Sequence, residues 1–311
     1  MNKSEHHNYT KKPAVIMRQL ADEYLATLKT KRFSPKTVTL YGLVLTDFLG
    51  FLADINRERA QDVTAQDLEA YRLALVRRNF APASLEVYLR AMRQWFNWLD
   101  KQQKLFANPA NGFLIPKPPR KLLPAPSEEN VNKLLAQPNI ATKCGIRDRA
   151  LLESAYATGA RREELARLTI HNVDLDNQRL TVTGKGNKQR VLPLGKHATQ
   201  WLTRYIVETR PKLLKEKLDQ PALWIDTHGK PLAYHAFQQI LTRHSYDAGI
   251  KPAITPHALR RACATHMLRH GAHPLQIQML LGHATLGTLG QYLRLTIAEL
   301  QQTHAKSNPG K

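Results

Sequence analysis

The sequence predicts a mainly α-helical protein with one small β-sheet, divided into two domains. Three observations predict it. Apolar residues return every three or four positions through most of the chain, the spacing that gathers them on one helix face. A single stretch, Leu180 to Leu194, instead alternates apolar and polar residues around a polar tip. Between the halves, Pro116-Lys117-Pro118-Pro119-Arg120-Lys121-Leu122-Leu123-Pro124-Ala125-Pro126 sets five prolines in eleven positions. Proline fixes φ and removes a backbone donor, so neither helix nor sheet runs through that segment. It is expected to be a linker over 116–126, between a helical domain at 13–115 and an α+β domain at 127–300, with a frayed tail at 301–311.

Four amphipathic helices are expected in the first domain. Ile16, Leu20, Tyr24 and Leu28 recur every four residues. Ser34-Pro35-Lys36-Thr37 is an N-cap followed by proline at the first helical position, leading into Tyr41, Val44, Leu45, Phe48 and Leu52. Thr64-Ala65-Gln66-Asp67 resembles a capping box, with Leu68, Tyr71 and Leu75 behind it. After Pro82, the residues Leu85, Tyr88, Leu89, Met92, Phe96 and Leu99 mark the fourth helix. These stripes are core. Opposite them or near helix ends stand Lys29, Lys31, Arg32, Lys36, Arg77, Arg78, Arg90 and Arg93, placed to suit phosphate contacts.

In the second domain Ser127-Glu128-Glu129-Asn130 starts a helix, and a longer one runs through Arg147–Tyr156. Leu180 and Val182, the tip Gly184-Lys185-Gly186-Asn187-Lys188, and Val191-Leu192-Pro193-Leu194 form a β-hairpin. Helices resume at Ala236, broken at Gly249 to Pro256, at Gly271 to Pro274 and at Gly282.

Composition narrows the function. The 311 residues carry 46 Lys+Arg against 25 Asp+Glu, a formal net charge of +21. The sequence pI is about 10.1. Such a balance favours nucleic acid as partner over a merely solvated basic surface. A membrane-surface protein would need a basic amphipathic helix or a lipidation signal, and neither is evident. No stretch is expected to approach the roughly 20 apolar residues that a membrane helix needs. The opening residues Met1 to Asn8 have no apolar core of a secretory signal, so a cytoplasmic protein is expected. Two cysteines, Cys144 and Cys263, support neither a disulfide framework nor a cysteine-based zinc site.

Five short segments carry chemistry. Thr158-Gly159-Ala160-Arg161-Arg162-Glu163-Glu164-Leu165 puts a guanidinium at a helix start, where Glu163 or Glu164 could pair with it. Gly184-Lys185-Gly186 puts an ammonium on a hairpin tip, and Lys188 and Arg190 follow it as further phosphate-contact candidates. Pro256-His257-Ala258-Leu259-Arg260 sets His and Arg one helical turn apart, as a site pair or a capping pair. Leu280-Leu281-Gly282-His283 ends a helix and presents a histidine that could equally face the helix dipole. Nine residues later stands Tyr292, which alone would be taken for packing.

Together, in this order and at these spacings, the segments resemble the tyrosine recombinase (lambda-integrase-like) family, nearest to the bacterial Xer-type recombinases. The likeness covers nearly the whole chain. It also includes Ala264-Thr265-His266-Met267-Leu268 and Gln278-Met279-Leu280-Leu281-Gly282-His283. The resemblance implies a helical core-binding domain plus an α+β catalytic domain forming a C-clamp around duplex DNA. It implies that Arg161 and Arg260 clamp the phosphate, Lys185 is the hairpin lysine, His257 and His283 are the active-site histidines, and Tyr292 is the nucleophile. Cofactors are not implied. Two arginines can hold the non-bridging oxygens with paired hydrogen bonds, as magnesium does in many nucleases. Partners implied are double-stranded DNA with a specific recombination site, and a homo-tetramer or a hetero-tetramer with a second recombinase, exchanging strands through a Holliday junction. The segment Leu293 to Leu300 is expected to dock into a neighbouring protomer or fold back on its own domain.

The chain also departs from the family. Arg261 stands where histidine is frequent, and Thr285-Leu286-Gly287-Thr288-Leu289 lacks the acidic residue and paired threonines common in housekeeping Xer proteins. No catalytic group is lost, but a mobile-element, plasmid or phage role is favoured over chromosome-dimer resolution. A type IB topoisomerase would share the chemistry without site-specific synapsis, and a non-catalytic DNA-binding module would not need the tyrosine. His266, His270 and His273 lie at i, i+4 and i+7, but Gly271 and Pro274 should end that helix and no carboxylate or cysteine joins them, so no metal is expected.

Overall fold

The computed structural model describes residues 9, 11–116, 124–184, 187–214 and 219–282. The chain divides into two compact units, residues 1–121 and 122–311, with the division inside the proline-rich segment.

The first unit holds α1 (Val15–Thr30), α2 (Pro35–Asp54), α3 (Ala65–Arg77) and α4 (Pro82–Lys101). Their starts follow the local signals. The Ser34 hydroxyl accepts the Thr37 N–H at 3.1 Å ahead of Pro35. Thr64 and Asp67 close a reciprocal capping box at 3.3 and 2.9 Å. The apolar faces meet in an aromatic centre, where the Phe48 ring lies 4.8 Å from Tyr71, 6.2 Å from Trp95 and 5.9 Å from Phe96.

Three expectations fail here. Ile16, expected in the apolar stripe of α1, is 54% exposed, and Met17 is buried beside Leu20, Tyr24 and Leu28 instead. α2 spans 20 residues with a mean hydropathy of 1.3, so by length and composition it could cross a membrane. Its apolar surface is instead spent inside the unit: Val44, Leu45, Phe48 and Leu52 are buried, so it is a core helix. Arg78, expected at the phosphate surface, turns inward. Its guanidinium donates to both oxygens of the buried Asp47 at 2.9 Å each, and Tyr71 donates to the same carboxylate at 2.8 Å. Removing one partner of such a pair leaves a buried charge uncompensated. Arg78→Ala should therefore cost about 3–5 kcal/mol in urea unfolding of the full chain. The salt dependence of the expected DNA binding should stay unchanged, whereas a lost phosphate contact would lower its slope by about one. The other expected contacts differ from Arg78. Lys29, Lys31, Arg32, Lys36 and Arg77 are exposed, Arg93 is half-buried, and Arg90 is exposed while pairing with Glu86 one turn away.

The second unit begins with α5 (Glu128–Ala136), capped by Ser127, and α6 (Lys143–Thr158). A short α7 (Arg162–Ala166) leads into an antiparallel sheet of β1 (Val173–Asp174), β2 (Arg179–Thr183) and β3 (Gln189–Pro193), in that order. Register sets Leu180 opposite Leu192 and Val182 opposite Arg190, so the buried Leu180, Val182 and Leu192 face the core. α8 (Gly195–Arg204) continues through a π-helical turn, Tyr205–Thr209, into α9 (Arg210–Leu214). The Tyr205 hydroxyl donates to the Leu223 carbonyl at 2.8 Å, and its ring stacks on Trp224. Then come α10 (Ala236–Asp247), α11 (Pro256–Arg269) and α12 (Pro274–Leu281). Asp148 on α6 is fully buried and takes Arg147 from its own helix and Arg243 and His244 from α10, fixing α10 against α6.

Candidate active site

Lys185, His283, Tyr292 and the segment Leu293 to Leu300 lie outside the described residues. Arg161, His257 and Arg260 lie within them, and the fold brings them to one place.

α6 stops at Gly159, whose φ of +57° is left-handed. A Cβ there would sit 2.8 Å from the Leu281 side chain and 3.2 Å from the Cys263 sulfur. Glycine is thus what lets α6, α11 and α12 converge. The turn that follows places Arg161 at the N-cap of α7. One turn on, the buried Glu164 accepts the Arg161 backbone N–H at 2.8 Å and its Nη1 at 2.9 Å. Arg161 Nη2 donates to the Gly282 carbonyl at 3.1 Å. The open choice between Glu163 and Glu164 therefore falls to Glu164, while Glu163 accepts the Tyr234 hydroxyl at 2.9 Å.

Arg260 lies in the second turn of α11 and is 5% exposed. Its Nη1 donates to the Gly159 carbonyl and its Nη2 to the Leu281 carbonyl, both at 2.6 Å. Arg161 and Arg260 thus end on consecutive carbonyls, Gly282 and Leu281, at the residue before His283. That end of α12 is the negative pole of the helix, which favours cations there.

His257 is the second residue of α11, after the Thr255 cap and Pro256. It is exposed on its outer side. Partial desolvation, then the guanidiniums of Arg260, Arg162, Arg161 and Arg261, hold its pKa below the ordinary histidine value. A neutral imidazole ringed by fixed cations is a place for an anion. Binding a phosphodiester there would offset that positive field and raise the histidine's proton affinity.

Glu164 was underrated by the sequence, although its spacing three residues after Arg161 is that of a capping box. Burial opposes its ionisation, but Arg190, the Arg161 backbone N–H and the Arg161 side chain prevail and hold its carboxyl down at about 2. Arg190, expected among the DNA contacts, is turned inward by this carboxylate and is 17% exposed. Lys188, in the turn just before β3, is exposed, and its carbonyl accepts the Gly184 N–H at 2.8 Å. The three histidines with ligand-like spacing have separate partners. His266 sits between the Tyr156 hydroxyl at 2.8 Å and the Pro126 carbonyl at 2.9 Å, His270 meets Glu128 at 3.0 Å, and His273 caps the Leu275 N–H at 3.3 Å.

Comparison with known proteins bears on this site. Residues 127–299 match the Phage integrase family, and residues 21–103 match the phage integrase N-terminal SAM-like domain. The chain belongs to the phage integrase family. It is 33% identical over 305 residues to tyrosine recombinase XerC 2 of Ralstonia nicotianae, covering 96% of this chain and 87% of that one. It is 32% identical over 296 residues to tyrosine recombinase XerD of Listeria innocua, covering 94% and 99%. A lambda integrase tetramer bound to a Holliday junction shares the fold at a TM-score of 0.71, with 17% identity over 93% of this chain and 78% of that one. The helical first unit and the catalytic second unit are therefore those of a tyrosine recombinase.

Proposed function

We propose that this recombinase exchanges DNA strands at a specific site through a 3′-phosphotyrosine intermediate, and that it serves a mobile element, plasmid or phage. One observation carries the reading. Arg161 and Arg260, from α7 and α11, end on adjacent carbonyls directly before His283, with His257 inside the same cationic field. Such a pair can hold the two non-bridging oxygens of a phosphodiester as negative charge builds on them. Both stay charged throughout.

The Tyr292 oxygen attacks phosphorus, forming the tyrosine O–P bond and breaking the bond to the 5′ oxygen. The phenol proton passes to His257, whose lowered pKa leaves it neutral and receptive near neutral pH. Lys185 protonates the departing 5′ oxygen, and His283 bonds a phosphate oxygen. Attack by a 5′ hydroxyl reverses the step and joins strands without an external energy source. Four protomers on two duplexes would perform the exchange.

Sequence readout is supported by α10. Its exposed face presents Gln238, Gln239 and Thr242, amide and hydroxyl groups suited to base edges in a major groove. Arg162 holds the Gln238 side-chain oxygen at 2.7 Å. Gln239→Ala should relax preference at one position of the site, by about 1–3 kcal/mol of discrimination in competition binding.

The deciding experiment incubates the protein with a pool of nicked duplexes of randomised sequence and recovers DNA bound covalently. The expected result is an adduct on a defined sequence, absent with Tyr292→Phe. An adduct formed equally by Tyr292→Phe would overturn the reading. The near full-length likeness to XerC and XerD proteins favours a second reading, chromosome-dimer resolution. A captured sequence found once per chromosome, rather than at an element's ends, would select it.

A further inference from the structure

Three consecutive carbonyls end α12, and each accepts from a different arginine. Leu280 takes Arg190 Nε at 3.0 Å, Leu281 takes Arg260 Nη2 at 2.6 Å, and Gly282 takes Arg161 Nη2 at 3.1 Å. Those carbonyls have no further helical turn to bond, so the guanidiniums complete the helix end. Two of these arginines already have a role at the phosphate. Arg190 does not.

The remaining contacts of Arg190 define its work. Its Nη1 and Nη2 both donate to the Glu164 carboxylate at 2.8 Å, the carboxylate that also holds Arg161. It stands on β3, directly opposite Val182 on β2, in the ladder that carries the hairpin bearing Lys185. The left-handed Gly282, with φ +61°, leaves room for it, since a Cβ there would lie 3.1–3.2 Å from the Arg190 guanidinium. One planar fork therefore touches three elements: the lysine hairpin, the helix start that presents Arg161, and the helix end that leads into His283.

We infer that Arg190 is a positioning residue for strand cleavage, locking the hairpin, Arg161 and the end of α12 into one register through Glu164 and the Leu280 carbonyl. This rests on the proposed reaction. Arg190 need not touch DNA. A lysine keeps the charge and the stem but cannot bind both carboxylate oxygens and a carbonyl in one plane. The elements would then shift by fractions of an ångström, enough to misalign the reacting groups.

The test uses the full chain and a nicked duplex recovered by the covalent capture described above. For wild type, Arg190→Lys and Arg190→Gln, single-turnover adduct formation at saturating protein is followed against temperature, and duplex affinity against salt. Arg190→Lys should lower the saturating rate about 100-fold. Its salt slope should match wild type, where loss of a phosphate contact would reduce it by about one. The rate deficit should persist far below the melting point of the variant, because the reacting groups stay misaligned in the folded protein. A protein merely loosened by the change would regain the wild-type rate there. Should Arg190→Gln not fold, Arg190→Lys decides alone. An unchanged rate, a reduced salt slope, or a rate restored far below the melting point overturns the inference. Absence of any adduct with wild type would instead fail the proposed reaction itself.

Discussion

Arg161→Lys should cut single-turnover strand cleavage by about 10²–10³-fold, the scale on which one preorganised donor to a developing oxyanion acts. Affinity for the duplex should change less than tenfold. The wild-type guanidinium is already aimed: Nη1 is held by Glu164 and Nη2 by the Gly282 carbonyl. Phosphate binding needs two parallel donors from the same plane, which a guanidinium supplies while keeping its orientation. An ammonium preserves the charge that draws DNA in, so binding survives. It is a point donor on a flexible stem and cannot reproduce the fork. Arg260→Lys should differ in kind. Arg260 is buried and both of its terminal nitrogens satisfy carbonyls, Gly159 and Leu281. Leaving either carbonyl unpaired costs about 1–3 kcal/mol, so this variant should lose stability as well as cleavage. Melting curves beside adduct kinetics separate the two variants. Cleavage by Arg161→Lys at the wild-type rate would remove Arg161 from the phosphate clamp.

Much of this was legible in the chain itself, for identifiable physical reasons. Helices α1 to α4 and α10 to α12 announce themselves by long apolar stripes with caps at their ends, as at Ser34, Thr64 and Gly282. β1 is two residues long, too short for any period, and exists only because β2 pairs with it. The π turn at Tyr205–Thr209 leaves no local signature, and the partner of its Tyr205 hydroxyl, the Leu223 carbonyl, comes 18 residues later. α2 shows the limit of composition, because a helix apolar enough for a bilayer is equally one surrounded by three others.

Charged residues were the least legible. Arg77 and Arg78 are neighbours of identical type, yet Arg77 is exposed and Arg78 closes on Asp47 from another helix. Arg190 sits two residues beyond the exposed Lys188, but the carboxylate that turns it inward comes from 26 residues earlier. Sequence counts positive charges; the fold supplies the buried carboxylates that claim some of them. At the site, Glu163 and Glu164 differ by a single step of about 100° around the helix, and that rotation decides which one faces Arg161.

Glu164→Gln tests that claim on stability and on chemistry together. The Glu164 carboxyl is held at about 2 against an ordinary value of 4.5, despite the cost of its burial. A depressed acid stabilises the folded state fully above its unfolded pKa and loses that stabilisation as pH falls through the folded one. The window is therefore pH 4.5 down to about 2. A gap of that size corresponds to about 3 kcal/mol by linkage. In wild type, the stability of the second unit should fall across that window. In Glu164→Gln the fall should be shallower, because the amide does not titrate. At pH 7 the variant should be less stable by a similar amount, about 3 kcal/mol, since Arg161 and Arg190 would share a buried neighbourhood without a counter-charge. Cleavage should fall too, as Arg161 loses the carboxylate that aims its guanidinium. Urea unfolding between pH 2 and 7 measures the first effect and adduct kinetics at pH 7 the second. A variant as acid-sensitive as wild type would mean that this carboxylate does not hold the two arginines, and the geometry of the phosphate clamp would need another anchor.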